Sequence, residues 1–332
     1  MRVFPNGSGL ILGLIFTFVV SWIWPTGNVE QSNQFPIYLS NISIVLIFLI
    51  QGWNLRTDQF KPSESSWVNV FKVHGLIFLG PLSIVLLFEF FSIVPDVWIS
   101  GFVFLAILPT TITSCVVYTS FAGGNSDIAL GHATLSNFLS IIWVPVAWVL
   151  LINQDGVSLF EKWYISGKEI LPSMFLLVVL PVVAGWTLKN FTKAKQTPRK
   201  VKISKFLSFG CILLLVYFAM SNSVLSIGHD DLLVYFFELL PLLLGFLFFH
   251  LVFSWVGSGI LCTAREVRVA EFYCIGQKSL AMGLPLLGVL SPVDSLAGSA
   301  LISIPLIFYH FLQLGVGTCF FKFFEAWIKR TT

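Results

Sequence analysis

Apolar residues fall in ten long runs along the chain, separated by short polar segments. A helix needs about 20 mostly apolar residues to cross the hydrocarbon core of a bilayer, and each run is close to that length. The pattern therefore predicts ten transmembrane helices, called spans 1 to 10 below. They cover residues 8–24, 37–53, 67–93, 97–121, 126–152, 170–188, 206–227, 233–261, 269–291 and 296–321.

The composition agrees with this pattern. Hydrophobic residues make up 56% of the 332 residues and charged residues 11%, and the mean hydropathy is +0.89. A soluble domain carries about 25% charged residues, and disorder requires low hydrophobicity with high charge. The sequence therefore predicts an all-α polytopic membrane protein with the lipid bilayer, not nucleic acid, as its surroundings. The five cysteines show neither a CxxC motif nor a spacing to histidine that is typical of a metal site, so we expect no metal and no cofactor.

The basic residues test the number of spans. With ten spans, sixteen of the 19 Lys and Arg residues lie on the side that holds both termini. Only Lys162 and Lys168 lie on the opposite side, and Lys278 lies inside a span. Since cytoplasmic loops carry the excess of Lys and Arg, both termini are predicted to be cytoplasmic, in a plasma or inner membrane.

The loops divide the chain into three segments of one membrane-embedded unit. Residues 1–152 hold spans 1–5, residues 153–205 hold span 6 and a basic linker at 189–205, and residues 206–332 hold spans 7–10 and the C-terminus. The linker is interpreted either as a topology anchor or as a site for anionic lipid; its sequence fits both.

A first polar cluster interrupts span 4 and continues into span 5, at residues 108–130. Pro109 removes a helical hydrogen bond, and Gly123 and Gly124 favour a turn. Polar groups inside a span are costly and therefore usually functional. The polar residues selected as site candidates in these two spans are Thr110, Thr113, Ser114, Asn125, His132 and Asn137.

A second polar cluster interrupts span 9, at residues 265–290. Gln277, Lys278 and Ser279 lie in the middle of the span. A central lysine is expensive unless it is paired or solvated, and Glu271 lies seven residues earlier, on the same face of a continuous helix. The alternatives are a Lys278–Glu271 pair that only fixes the packing and a functional charge at the centre of the membrane.

The two clusters begin in spans 4 and 9, at the same place in each half of five spans. Because five is odd, the second half enters the membrane in the opposite direction. Paired interrupted spans of this kind are typical of inverted-repeat secondary transporters, whose discontinuous helices meet at the midplane. We therefore predict that the candidates of both clusters surround one polar cavity where spans 4 and 9 cross.

Four segments carry a resemblance to a known family: QGWNLRTDQF at 51–60, LPTTITSCVVYTSFAGGN at 108–125, SN at 136–137 and QKSLAMGLPL at 277–286. Together they resemble the bile acid:sodium symporter superfamily, in particular its bacterial branch related to sodium/bile acid cotransporter 7. The resemblance implies a panel domain of spans 1, 2, 6 and 7 beside a core domain of spans 3–5 and 8–10.

The resemblance also implies ion-binding positions, and this chain departs from several of them. Sodium-coupled members place a Ser-Asn pair after the first break, and here the pair reads Ser114-Cys115. They place a Gln early in span 3, where this chain has His74. They also place a Glu before the second break, near the position of Tyr273. Sodium at Ser114 and Gln277, or a proton on Lys278, are the coupling ions that the residues leave open, with His74 and His132 as further candidates for proton transfer.

The predicted function is ion-coupled secondary active transport of a small organic solute, an organic anion, by alternating access. Half-helix N-termini and Lys278 would supply positive potential to an acid group. The alternatives are a non-transporting membrane regulator or sensor on the same fold and, with less support, an intramembrane enzyme. No HExxH, GxGD or Ser-His spacing supports an enzyme, so the chain is predicted not to be one.

Overall fold

The computed structural model describes residues 8–26, 35–55, 67–151, 168, 172–192, 197–261, 264–290 and 296–329. These parts of the chain are helical. The helices are α1 Ser8–Ile23, α2 Phe35–Asn54, α3 Trp67–Phe90, α4 Asp96–Ile107, α5 Ile112–Phe121, α6 Ser126–Leu151, α7 Leu180–Phe191, α8 Pro198–Ile227, α9 His229–Leu261, α10 Arg265–Gly276, α11 Leu280–Leu290, α12 Leu296–Cys319 and α13 Phe321–Lys329. A π-helical turn, Phe175–Val179, precedes α7.

Within the described ranges, eight helices are long and apolar enough to cross a membrane, or nine when the bent pair α4–α5 counts as one span. They match predicted spans 2 to 10 in place. Predicted span 1 corresponds to α1, which has 16 residues and is shorter than a typical spanning helix. The prediction of an integral membrane protein is therefore confirmed, whereas the tenth span and the inverted repeat remain predictions.

The basic linker 189–205 is more helical than the sequence indicated. α7 continues to Phe191, and α8 begins at Pro198. Thr197 caps α8 by accepting a hydrogen bond from the backbone N–H of Lys200 at 3.4 Å, and Pro198 supplies the fixed φ that suits a first helical position. Of segment 153–205, the structure describes residues 168, 172–192 and 197–205.

The helices form two groups by their contacts. In the first group α1 packs on α8, and α2 packs on α7 and α8. α2 and α7 approach closely because a glycine of each faces the other backbone: a Cβ on Gly52 would lie 2.0 Å from the carbonyl oxygen of Val182, and one on Gly185 would lie 2.1 Å from that of Leu49. Small residues allow such close approach in membrane helices.

The second group contains α3–α6 and α9–α13, and it holds both interrupted helices. α4 packs between α3, α6 and α12, and α10 packs between α3, α5, α6 and α9. α8 joins the two groups through contacts with α9, α11 and α12. A hydrogen bond from Gln51 Nε2 to Met282 Sδ, 3.2 Å long, links α2 to α11.

Candidate functional site

The first break lies at residues 108–111, between α4 and α5, whose axes differ by 65°. Leu108 and Thr111 have extended backbone angles, with ψ of 153° and 135°. Pro109 explains the break, because it has no N–H to donate and disfavours helix at the residue before it. The broken segment is buried throughout, so its carbonyl groups need partners that a helix would otherwise supply.

The second break lies at residues 277–279, between α10 and α11, and Gln277 is likewise extended, with ψ of 146°. Gly276 allows α9 to approach here, since a Cβ on it would lie 3.1 Å from Ser254 Oγ. Ser279 caps α11 by accepting a hydrogen bond from the N–H of Met282 at 3.2 Å. Residues 265–290 form a single span in spite of this break, so the span is bent less here than at the first break.

The two breaks contact each other directly, as predicted. The N–H of Ser279 donates to the carbonyl oxygen of Pro109 at 2.9 Å. Ser114 Oγ donates to Gln277 Oε1 at 2.9 Å and also lies 3.1 Å from Thr111 Oγ1. A main-chain bond and a side-chain bond therefore tie α4–α5 to α10–α11 at one buried point.

Lys278 provides a third connection between the breaks. Its side chain is fully buried, and its Nζ donates to the carbonyl oxygens of Ile77 at 2.7 Å, Ala106 at 2.8 Å and Leu108 at 2.7 Å. The predicted alternative, a pair with Glu271, is wrong, because these carbonyl oxygens and not the Glu271 carboxylate are the partners of Lys278 Nζ, and Glu271 Oε2 has no hydrogen-bond partner within the described residues. In this conformation the three carbonyl oxygens engage all N–H groups of Lys278, and its predicted positive potential toward an acid group remains a prediction.

An amide side chain from the next helix supports each break. Asn137 on α6 donates through Nδ2 to the carbonyl oxygens of Thr110 and Ala133, both at 2.7 Å. Gln313 on α12 accepts from the N–H of Lys278 at 2.8 Å and donates to its carbonyl oxygen at 2.7 Å. Asn137 was predicted, whereas Gln313 was not.

Two further histidines, His250 and His310, lie close to this network. His310 Nδ1 is 2.7 Å from Gln313 Nε2, and His250 Nδ1 is 2.8 Å from the hydroxyl of Tyr309. In sequence, the signal was the spacing of His310 and Gln313, which places both on one helix face. That spacing alone does not show that they face a break.

Among the remaining candidates, His74 and His132 form a separate pair. Their ring centroids are 5.4 Å apart, and His74 hydrogen-bonds through Nδ1 to the carbonyl of Val70 at 2.7 Å. His74 Nε2 lies 3.3 Å from the carbonyl oxygen of His132. Both side chains are buried, but their hydrogen bonds lead to each other and to α3, not to Lys278.

Asn125 does not belong to the crossing, and the prediction that it lines the central cavity is wrong. Its Oδ1 accepts from the N–H groups of Asp127 and Ile128, both at 3.1 Å, which caps the start of α6. Its own N–H donates to the carbonyl of Glu266 at 2.9 Å. The ten residues of α5 separate it from the break by about 15 Å at the rise of an α-helix.

Two cysteines complete the crossing. Cys115 Sγ and Cys274 Sγ are 3.1 Å apart and buried, and they join α5 to α10. Thr113 differs from its neighbours, because it is exposed although it lies in the first turn of α5. The crossing is thus buried at Lys278 and at the cysteine pair, and it is exposed at Thr113.

Comparison with known proteins gives the family. The chain is 24% identical to sodium/bile acid cotransporter 7-A of Xenopus laevis, over 96% of this chain and 92% of the relative. It is 27% identical to the putative symporter YfeH of Escherichia coli, over 95% of this chain and 92% of the relative. The model of the SBF-like CPA transporter family matches residues 8–326. The interrupted, crossing helices and this match over nearly the whole chain agree: the protein is a member of the SBF-like CPA transporter family.

Proposed function

We propose that the protein is a secondary active transporter that carries a small organic anion across the membrane by alternating access. Membership of a transporter family supports transport in general. The observation that carries the specific proposal is the direct contact of two interrupted helices through Ser279, Pro109, Ser114 and Gln277. Discontinuous helices that meet inside the membrane form the substrate sites of many secondary transporters.

Unpartnered polar atoms near the crossing support a ligand there. Thr110 Oγ1, Gln277 Nε2 and Glu271 Oε2 are buried and have no hydrogen-bond partner within the described parts of the chain. Buried polar atoms in native proteins almost always have one. Gln277 also lines a small cavity together with Gly276, Gln313 and other residues of α9, α10 and α12. A bound solute, ion or water would satisfy these groups.

The start of α5 supports an anion as the substrate. Thr111 precedes the helix but makes no side-chain cap to its backbone. Free N–H groups and the helix dipole make such an end attractive to negative charge. The exposed side chain of Thr113 shows that this end opens to a surface. The backbone N–H groups at the start of α5 would therefore bind the anion directly. Lys278 would contribute positive potential without contacting it.

The packing of the two helix groups supports alternating access. α11, on one side of the crossing, packs on α2 and α8 of the first group. α5, on the other side, packs mainly on α6, α10, α12 and α13 within its own group. The first group therefore closes the crossing on the α11 side and leaves the α5 side open. By the predicted topology, this conformation faces the cytoplasm.

Ion coupling is part of the proposal, with sodium or a proton as the coupling ion. Ser114 Oγ and Gln277 Oε1 are oxygen ligands of the kind that hard cations prefer, and they lie 2.9 Å apart. Uptake into proteoliposomes under an inward sodium gradient, compared with uptake under a pH gradient of the same driving force, distinguishes the two ions.

Thermal stabilisation by ligands tests the anion proposal. Specific binding raises the melting temperature with ligand concentration, so we expect carboxylates or sulfonates to stabilise the purified protein and their neutral amide analogues not to do so. Thr113→Val keeps the backbone N–H groups and should retain the effect. Thr113→Asp places a negative charge at the same point and should abolish it.

Counterflow then separates transport from binding. A transporter loaded with unlabelled anion should accumulate the labelled anion transiently in proteoliposomes. Stabilisation by an anion without counterflow would support the alternative of a regulator or sensor. Equal stabilisation by anions and by their neutral analogues would contradict anion recognition.

A further inference from the structure

The side-chain nitrogen of Lys278 lies in a cage of three main-chain carbonyl oxygens. The three oxygens belong to Ile77, Ala106 and Leu108, at 2.7 to 2.8 Å from Nζ. They come from two different helices, α3 and the end of α4. The Lys278 side chain is 0% exposed, so the cage is closed to solvent.

Each oxygen of the cage is available because a helix lacks the N–H group that would bind it. Ile77 lies four residues before Pro81, which is inside α3 and has no N–H. Ala106 and Leu108 lie at the C-terminal end of α4, where carbonyl groups have no helical partner. The cage is therefore a property of the backbone, fixed by two prolines, Pro81 and Pro109.

The negative potential of the cage comes only from the dipoles of its carbonyl groups. The carbonyl groups at the end of α4 carry the negative end of its helix dipole. Three acceptors match the three N–H groups of an ammonium. A neutral amine has two N–H groups and would turn its lone pair toward the third oxygen. The three acceptors of this conformation therefore match the donors of the protonated form of Lys278.

We infer that this cage is a binding site for a monovalent cation, filled by the protein's own ammonium group. Rings of carbonyl oxygens bind alkali cations in the same way, by replacing the hydration shell. The backbone of Lys278 is held in place by Gln313, which hydrogen-bonds its N–H and its C=O. The crossing thus carries a fixed positive charge and needs no free cation at this point. The role of this fixed charge in transport rests on the proposed function, whereas cation binding by the cage does not.

The inference predicts that removal of the ammonium group creates a site for a free cation. Lys278→Ala and Lys278→Met leave three buried carbonyl oxygens without a partner. In choline chloride both variants should melt well below the unaltered protein. Potassium, rubidium and ammonium, which are close in size to the lost group, should each recover most of the lost melting temperature in a saturable manner at constant ionic strength. Lithium should recover less.

Two controls show whether the effect belongs to the cage. The unaltered protein should show no such dependence on potassium or rubidium. Lys189→Ala removes a lysine that also donates to a backbone carbonyl, that of Leu55, but whose side chain is only half-buried. Its melting temperature should not depend on the choice between choline and potassium. Binding of rubidium to Lys278→Ala, measured by equilibrium dialysis, provides a second measurement.

The result that overturns the inference is a folded Lys278→Ala or Lys278→Met protein that neither binds rubidium nor gains stability from potassium, rubidium or ammonium. Failure of both variants to fold in every one of these salts also contradicts it, because the inference predicts that a free cation replaces the ammonium. The assay uses no transported solute. If the cation-binding inference fails in this assay, anion transport is still tested separately by counterflow.

Discussion

Replacement of Gln313 by leucine tests the geometry at the second break. The Gln313 side chain satisfies the backbone N–H and C=O of Lys278 at 2.8 and 2.7 Å. Both Gln313 and Lys278 are buried, so these bonds are removed from bulk water. Leucine has a similar size but neither donor nor acceptor. Gln313→Leu therefore leaves two main-chain groups of Lys278 without partners.

The magnitude follows from the cost of unsatisfied groups. Each buried group left without a partner costs about 1–3 kcal/mol. The two groups together should lower the free energy of unfolding by about 2–6 kcal/mol, and the apolar leucine offsets part of this loss. The expected decrease in melting temperature is on the order of 5 °C.

Gln51→Leu is the matched control in a thermal unfolding assay of the purified variants. Gln51 is half-buried and makes one hydrogen bond to the sulfur of Met282, and sulfur is a weak acceptor. This control should lose much less stability than Gln313→Leu. Equal melting temperatures for the two leucine variants, or a higher one for Gln313→Leu, would refute the assignment of Gln313 as the support of the second break.

Three further predictions concern the crossing and the topology. Ser114→Ala removes the donor to Gln277 Oε1 and should lower the free energy of unfolding by about 1–3 kcal/mol. Ser114→Thr keeps a hydroxyl and should retain most of the stability. Equal melting temperatures for Ser114→Ala and the unaltered protein would contradict the hydrogen bond. Oxidation with copper phenanthroline should link Cys115 to Cys274, seen as a joined peptide that Cys115→Ser abolishes; a folded protein without this link would show that α5 and α10 do not meet there. Thr197→Cys should react with impermeant thiol reagents only from the cytoplasmic side, and labelling from outside intact cells would overturn the predicted topology.

The helices and their breaks could be predicted from sequence because each depends on local chemistry. Long apolar runs indicate spanning helices, and Pro109 marks the first break because of its missing N–H. The contact between the breaks could be predicted as well, because both clusters occupy the same place in their halves. α1 is the exception, because its helix of 16 residues is shorter than a typical spanning helix although its apolar run predicted a span.

The partners of Lys278 could not be predicted, and the reason is physical. Its acceptors are backbone carbonyls, which every residue has, so no side chain at position 77, 106 or 108 identifies them. The only carboxylate on the same face was Glu271, which made a salt bridge the natural expectation. Pro81 was the available signal, because a proline inside a helix frees the carbonyl four residues earlier.

Asn125 shows the converse error. It lies in the same polar segment as Thr110 and Ser114, but sequence proximity does not distinguish a residue at the break from one at the far end of the half-helix. Asparagine before a helix is a typical N-cap, and that local role explains its position here. Gln313 was missed because its spacing from His310 places both on one helix face but does not show that this face meets a break.

The central claim is that the crossing of the interrupted helices opens to water on one side of the membrane, where it receives a solute. The most direct test is thiol labelling of Thr113→Cys in a chain whose five native cysteines are replaced. Charged methanethiosulfonate reagents react with cysteines in water and not with cysteines that face lipid. The account predicts labelling from the cytoplasmic side of inverted membranes, reduced by the anions that stabilise the protein. A folded variant that resists labelling from both sides would contradict the account, because Thr113 would then face lipid and no solute could reach the crossing.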